Sequence, residues 1–365
     1  MKNTIGNLLT LTIFGESHGP AVGGVIDGMP AGVKIDMDLI AEMMQKRKAS
    51  GAISTGRHED DIPEFLSGIK DGVSEGTPIA FLIRNKNVRS GDYNALSSTA
   101  RPGHADYAGH VKYRGNEDAS GGGHFSGRLT SVMVTAGAIA LGMLKEKGIA
   151  VGTHIESIHG ISDRSFGNLD EDISYLHTVH FPVLDEQAGE KMQEAIVRAK
   201  EEMNSLGGIL DTAAVGIPAG IGEPEFDSLE SRLSHAVFSI PAVKGIAFGA
   251  GFDFAEMTGA EANDPFRIED GKVVTSTNHN GGINGGISNG MPIRFKTVIK
   301  PTPSIARAQK TVNFETMEET EIEIKGRHDP CIVHRAAVVV DAMTAFTLAD
   351  VLIERYGSMY FGEER

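Results

Sequence analysis

The sequence predicts an α+β fold: a β-α-β sandwich with an inner layer of helices between two mainly antiparallel sheets. Leu129 to Leu144, "LTSVMVTAGAIALGML", contains no charged residue, and a helix that is apolar on every side is buried on every side. The C-terminal "RAAVVVDAMTAFTLADVLIERYG" is nearly as apolar. Two such helices need cover on both faces, and short runs rich in β-branched residues supply it. A repeat adds to this: "GMPAG" at Gly28–Gly32 returns as "GIPAG" at Gly216–Gly220, each followed by an acid-capped amphipathic helix. That predicts an internal pseudo-duplication within a single domain spanning 1–365, the halves dividing near 150–210.

The strand runs, in order, are "LTLTIF", "PIAFLIRN", "GTHIESIHGI", "IRFKTVIK" and "ETEIEIKG". The first helix follows Asp36, carries the stripe Leu39, Ile40, Met43 and Met44, and ends in "QKRK". The charge-free helix keeps Leu129, Val132, Met133, Ala136, Ile139, Ala140, Met143 and Leu144 at helical spacing. It is too short and too rich in Gly, Ser and Thr for a good membrane span. A further amphipathic helix follows Asp227, where Asp227 and Glu230 make an aspartate version of the capping box.

The formal charge of −15, from 49 acidic and 34 basic residues, argues against nucleic acid or a membrane as partner, because phosphate surfaces call for a net basic face. The single cysteine, Cys331, allows no internal disulfide and points to a reducing compartment. "MKNTIGNLLTLTIF" lacks the apolar core of a signal peptide, so the expected location is the cytoplasm. Glycine is over-used: 45 residues where average usage gives about 26. The glycines cluster in "GPAVGGVIDG", "SGGGHFSG" and "NGGINGGISNG", which suits loops whose backbone approaches a ligand; a tight, turn-rich β-protein is the alternative.

"FGESHGPAVGGVIDGMPAG" sets Glu16, Ser17 and His18 side by side. Gly15–Gly19 fits the G-x-S-x-G elbow of hydrolases, but no helix can follow and no earlier strand loop exists to build an oxyanion hole. "ASGGGHFSGR" leads into the charge-free helix, where unpaired N–H groups suit a phosphate and Arg128 adds a fork-shaped donor. An ordinary glycine-rich helix entry is the alternative. "ARPGHADYAGH" holds His104, Asp106 and His110 at a spacing that matches no usual zinc pattern, so an acid–base histidine beside Arg101 is preferred and no metal is expected. In "KGRHDPCIVHR", Arg327, His328 and Asp329 share a loop, and Cys331 beside Ile332 and Val333 reads as inert. Lys46, Arg47, Lys48, Arg57, Arg101, Arg128, Lys300, Arg327 and Arg335 gather in these loops, which predicts a cationic pocket for a small polyanion. The residues thus point to an enzyme acting on a phosphorylated, carboxylated small molecule.

"FGESHGPAVGGVIDGMPAG", "RPGHADY", the glycine-rich entry, "AVKG" at Ala242–Gly245, "NGGINGGIS", "KPTPSI" and "GRHDPC" stand in an order that resembles the chorismate synthases, from Thr4 to the final helix. The resemblance implies a lyase of the shikimate pathway of aromatic amino-acid biosynthesis. Its reaction is an anti 1,4-elimination of phosphate from 5-enolpyruvylshikimate 3-phosphate to give chorismate, with reduced FMN required and no net redox. It implies two sheets around a helical layer, and a homotetramer. Carried over by position, His18 protonates the departing phosphate, while Ser17 and the bare backbone hold that oxyanion. His104 stands by the flavin N1 edge, and Asp329 relays the proton at flavin N5. Arg47, Arg101, Arg128 and Arg327 bind substrate anions, and Arg47 is also the position linked to NADPH. Flavin contacts fall on His124, Phe125, Ser126, Pro241, Ala242, Gly285, Lys300, Pro301, Thr302, Pro303, Ser304 and Arg327. No reductase-like segment is visible, so a separate flavin reductase is expected.

Two stretches depart from the family pattern. His124-Phe125-Ser126-Gly127-Arg128 stands where the family usually reads Arg-Ser-Ser-Ala-Arg. "KRKASGAISTGR" keeps Arg47 and Arg57 but has Ala52 or Ile53 where a further arginine often falls. A flavin- or phosphate-binding protein without the chemistry is the runner-up, and His18, His104 and Asp329 argue against it.

Overall fold

The computed structural model describes residues 2–49, 51, 53–54, 60–86, 98–118, 120–324 and 329–362. Short β-branched runs form two five-stranded sheets. The first contains β1 (Thr4–Ile5), β2 (Thr10–Gly15), β3 (Ala21–Asp27), β4 (Glu64–Phe65) and β5 (Ile79–Arg84), in the order β1-β2-β3-β5-β4. The second contains β6 (Ala150–Ile158), β7 (Ile161–Ser162), β8 (Gly208–Val215), β9 (Val243–Phe248) and β10 (Ile293–Ile299), in the order β9-β10-β8-β6-β7. Every pairing within both sheets is antiparallel. The predicted strand in "ETEIEIKG" forms instead a separate hairpin, Gln309–Asn313 with Glu318–Ile322.

The main helices are α1 (Met37–Arg47), α2 (Asp106–Tyr113), α3 (Thr130–Glu146), α4 (Leu169–Leu176), α5 (Glu186–Glu201), α6 (Leu229–Phe238) and α7 (Val333–Tyr356). The two largely apolar segments are α3 and α7. They pack on each other, α3 touching β3 and β5 and α7 touching β6 and β8, so the helices fill the space between the sheets. With the preceding turn, Gly127–Glu146 is long and apolar enough to cross a membrane, contrary to the reading of that segment as too short, and so is α7, yet both are buried inside the protein. Each fully buried Val or Leu along them contributes about 1.5–3 kcal/mol. Their contact is backbone to backbone: a Cβ at Gly137 would lie 2.3 Å from the Ala342 Cβ, so any larger residue there would push the layer apart.

Asp36 caps α1, accepting from the N–H groups of Asp38 and Leu39. The cap of α6 corrects the sequence reading. Asp227 ends a 3-10 turn, and Ser228 is the N-cap, accepting from Ser231 N at 3.1 Å. The first glycine cluster is also not wholly a loop, because Ala21–Asp27 is a central strand. Side chains at Gly23 and Gly24 would collide with the Phe14 ring and with Val132 of α3, so these glycines let helix and sheet close up. The two "G-x-P-A-G" copies share one geometry: Gly28 and Gly216 follow β3 and β8 directly with φ +76° and +80°.

Candidate active site

The site begins in the turn between β2 and β3. Ser17 is buried, and its backbone N–H donates to the Gly123 carbonyl at 3.2 Å. Its hydroxyl bridges the Gly121 carbonyl (3.3 Å) and His18 Nδ1 (2.7 Å). With the hydroxyl proton on Gly121 O, the serine accepts from Nδ1–H, which assigns that tautomer to His18.

Gly121, Gly122 and Gly123 form a strap with φ of +60°, +88° and +50°, three left-handed residues in succession. A Cβ at Gly121 would fall 1.9 Å from His18 Cε1, and one at Gly122 would stand 3.5 Å from His104 Nε2. The two histidines, 86 positions apart by residue number, therefore face adjacent residues of one strap. At Gly121 a side chain would occupy the imidazole position, whereas at Gly122 the contact with His104 is ordinary and the φ of +88° is what calls for glycine.

His104 precedes α2 and is oriented by a buried fork. Its Nδ1–H donates to Asp106 Oδ1 at 2.6 Å, which leaves Nε2 as the edge turned to the strap. Arg101 grips the same carboxylate through Nε and Nη2, both at 2.7 Å, and through its backbone N at 2.9 Å. Burial pushes the Asp106 carboxyl up, but the hydrogen bonds from Arg101 and His104 outweigh it and hold the group well below the usual carboxylate range. His110 turns away: it pairs with Glu117 at 2.9 Å and lies against Phe314. The His104, Asp106 and His110 set is thus not a metal site, and no metal-holding group occurs among the described residues.

The loop after β10 closes on the same place. The Lys300 ammonium donates to the Gly103 carbonyl, Pro303 neighbours Gly103, and the Lys300 N–H donates to Ala242 O at 2.9 Å. Lys300 to Ser304 and Pro241–Ala242 are thereby brought to the His104 loop. Ala242 holds φ +73°. Thr302 O accepts from Ser205 Oγ at 2.7 Å, while Thr302 Oγ1 is buried with no partner among the described residues. Pro301 packs at Gly207.

A second cluster lies at the C-terminal end of α1 and the entry to α3. Arg47 and Arg128 are buried and both bind Asp61, each taking one carboxylate oxygen. Arg47 also donates to Thr130 Oγ1 at 3.2 Å. Burial pushes Asp61 up, and the two guanidiniums hold it below its ordinary value. Arg335 donates to Asp329 and, through Nε, to the Arg47 carbonyl at 2.8 Å. Asn85 joins the clusters, accepting from Arg128 Nε (2.9 Å) while donating to the carbonyls of Glu16 (3.0 Å) and Gly19 (2.7 Å).

Residues 9–353 match the family model described as chorismate synthase. The chain belongs to the chorismate synthase family. It is 46% identical over 356 residues to a chorismate synthase of Dehalococcoides mccartyi, covering 97% of each chain. It is 47% identical over 350 residues to one of Pyrococcus abyssi, covering 96% of this chain and 97% of that one. A solved crystal structure of a chorismate synthase matches with a TM-score of 0.76 at 28% identity, over 96% of this chain and 94% of that one. The α+β expectation is met, and family membership makes the chain a lyase of chorismate synthesis, in the shikimate pathway.

Against the chorismate synthase motifs, the described structure gathers Ser17, His18, Arg101 and His104 around the strap and Arg47 and Arg128 around Asp61, with Asp329 linked to Arg47 through Arg335. Arg327, His328 and Arg57 lie outside the described residues. Of the cationic set expected from the sequence, the described residues place Arg101 on Asp106 and Arg47 and Arg128 on Asp61, two clusters each with its own carboxylate. Lys46 leaves the set, donating to the Leu176 and His177 carbonyls at the end of α4. His124 Nδ1–H donates to the Gly15 carbonyl at 3.0 Å, Phe125 packs towards Gly109 and Tyr113 of α2, and Ser126 caps Arg128 N. Gly285 sits in the hairpin Ile283–Asn284 with Ile287–Ser288, whose Gly286 meets Glu223 and Leu229. Cys331 is buried and its thiol is pushed up to about 12 by that burial, which rules it out as a nucleophile. Asp61 and Asn85 escaped sequence reasoning; neither stands in a patterned motif. A cavity of about 260 Å³ over the second sheet, lined by Asp211, His279 and Arg294 among others, contains none of the predicted residues.

Proposed function

We propose that the strap region eliminates phosphate from 5-enolpyruvylshikimate 3-phosphate, with His18 and His104 as its acid–base groups. The observation that carries this reading is the placing of two separately oriented imidazoles on adjacent residues of a side-chain-free backbone. His18, its Nδ1–H held by Ser17, takes up a second proton at Nε2 and as the imidazolium donates it to the departing phosphate oxygen. An acid in that role must be within hydrogen-bond reach and titrate near the working pH, as imidazole does. His104, with its tautomer set by Asp106, balances negative charge beside it. Asp329, oriented by Arg335, accepts the ring proton. Breaking the C–O and C–H bonds across the ring gives chorismate and phosphate with no net change of oxidation state.

The donor set fits a phosphorylated flavin. The buried Thr302 hydroxyl without a partner, the buried Ser304 and Lys300 surround the loop that meets His104, and Ser126 stands at the helix entry. These residues with His124, Phe125, Pro241, Ala242, Gly285, Pro301, Pro303 and Arg327 would hold reduced FMN, which supplies electron density while the C–O bond breaks. Arg47, buried on Asp61, is read as a substrate contact before an NADPH contact. In this reading the enzyme works as a cytoplasmic homotetramer fed by a separate flavin reductase. The test is anaerobic phosphate release from the substrate with dithionite-reduced FMN. Turnover with reduced but not oxidised FMN, lost in His18→Ala, is expected; equal turnover without flavin would refute the assignment.

A further inference from the structure

The guanidinium of Arg47, from the last turn of α1, also donates to Thr130 Oγ1, and that of Arg128, from the entry to α3, to Asn85 Oδ1 and the Arg84 carbonyl, but none of these contacts bridges the two. Asp61 does so, with one carboxylate oxygen for each. All three residues are buried, and like charges this close in a poorly screened interior repel unless a counter-charge lies between them. The triad still carries one net positive charge. Arg47 Nε is buried without a hydrogen-bond partner among the described residues, a donor that a further oxyanion could satisfy. Burial lowers the Arg47 guanidinium, Asp61 pulls it back up, and Arg335 adds to the lowering. Asp61 itself holds φ +52°, a left-handed conformation that only the surrounding contacts maintain.

We propose that Asp61 is a positioning residue of the substrate site: it keeps Arg47 and Arg128 side by side as a preformed fork and yields them to an oxyanion of the substrate. The proposal rests on the reading of the two arginines as anion-binding residues. Exchange, rather than simple addition, follows from the occupied geometry, since each guanidinium already gives its facing N–H to one Asp61 oxygen. A phosphate or carboxylate placed against the pair while Asp61 remained would set two anions in contact in a buried place. Asp61 thus makes anion affinity depend on the fraction of molecules in which it has let go.

The test compares wild type with Asp61→Asn, using inorganic phosphate as probe in isothermal titration at fixed ionic strength. If the Asp61-released form is a tenth or less of the wild-type population, its removal as competitor tightens phosphate binding at least about tenfold. Arg128→Gln in the same background should cancel that gain. With substrate, Asp61→Asn should lower KM while kcat falls, since the fork loses its register. A lower melting temperature with unchanged phosphate affinity would reduce Asp61 to a structural ion pair and overturn the proposal. Should Asp61→Asn fold poorly, phosphate must restore its folding better than sodium chloride at equal ionic strength; no recovery, or equal recovery, overturns the proposal too. Phosphate behaviour as expected in a protein that never turns over the substrate would refute the reaction and leave the role of Asp61 standing.

Discussion

Asp106→Asn changes a charge while preserving a shape, so it isolates what the carboxylate does for His104. Four donors converge on its two oxygens: His104 Nδ1, Arg101 Nε, Arg101 Nη2 and the Arg101 backbone N, at 2.6, 2.7, 2.7 and 2.9 Å. An amide offers one oxygen and one NH₂ group, so two of the four donors would face another donor. Hydrogen bonds to charged groups contribute about 1.5–3 kcal/mol each. Because the Asp106 side chain is 17% exposed, partial screening brings the expected loss to about 2–4 kcal/mol. Unfolding entropy of about 2.1 cal/mol/K per residue over 365 residues gives about 0.8 kcal/mol/K, so calorimetry should show Tm lower by about 3–5 °C. The carboxyl is held below its ordinary value, so its contribution is present above the ordinary aspartate range, about pH 3.9, and is lost as pH falls below it. The Tm difference between the two proteins should therefore shrink in acid. Activity should suffer more, because an amide that turns its NH₂ group to His104 no longer fixes the proton on Nδ1; kcat for phosphate release should fall at least about 10²-fold. Nitrogen-15 shifts of His104 should change from one tautomer to a mixture. Wild-type kcat and unchanged His104 shifts in a variant with lowered Tm would refute the positioning argument.

Gly121→Ala places a methyl where His18 Cε1 now lies, at 1.9 Å; steady-state assays should show kcat down at least about 10²-fold, and normal activity would mean that the strap does not fix His18. Cys331, with its thiol at about 12 through burial, should not react with a disulfide reagent at pH 8 in the native protein and should react once per chain after unfolding. His334 is pushed down to about 3, first by burial and then by Arg335, while an unfolded histidine titrates near pH 6.5. Between these values the unfolded chain binds a proton that the folded chain refuses, so stability should fall as pH drops from about 6.5 towards 3. Urea midpoints for wild type and His334→Gln should converge over that interval, and parallel curves would show that His334 does not titrate as its burial requires.

The two core helices were legible because transfer of apolar surface is indifferent to partners: a run with no charge in "LTSVMVTAGAIALGML" has only one place to go. Strand β3 was not, since its glycines Gly23 and Gly24 carry no pattern of their own and make sense only once Phe14 and Val132 stand beside them. The same division runs through the site. His18 and His104 were visible as residue types that handle protons, and the three glycines as a backbone kept bare. That one histidine lies over Gly121 and the other over Gly122 follows from the chain path alone. The arginines were visible as well, but counting cations in loops measures charge and not field. A guanidinium against a carboxylate a few ångströms away presents little net potential to an incoming anion. Asp61 binds arginines from elsewhere in the chain and did not stand out among 49 acidic residues, while Asp106 was visible beside His104 but not as the partner of Arg101. Among the described residues they make one fork that holds His104 and one fork on Arg47 and Arg128. The strength of anion binding here is therefore a property of these two pairings more than of the number of basic residues, and it can be altered by one amide substitution without touching an arginine.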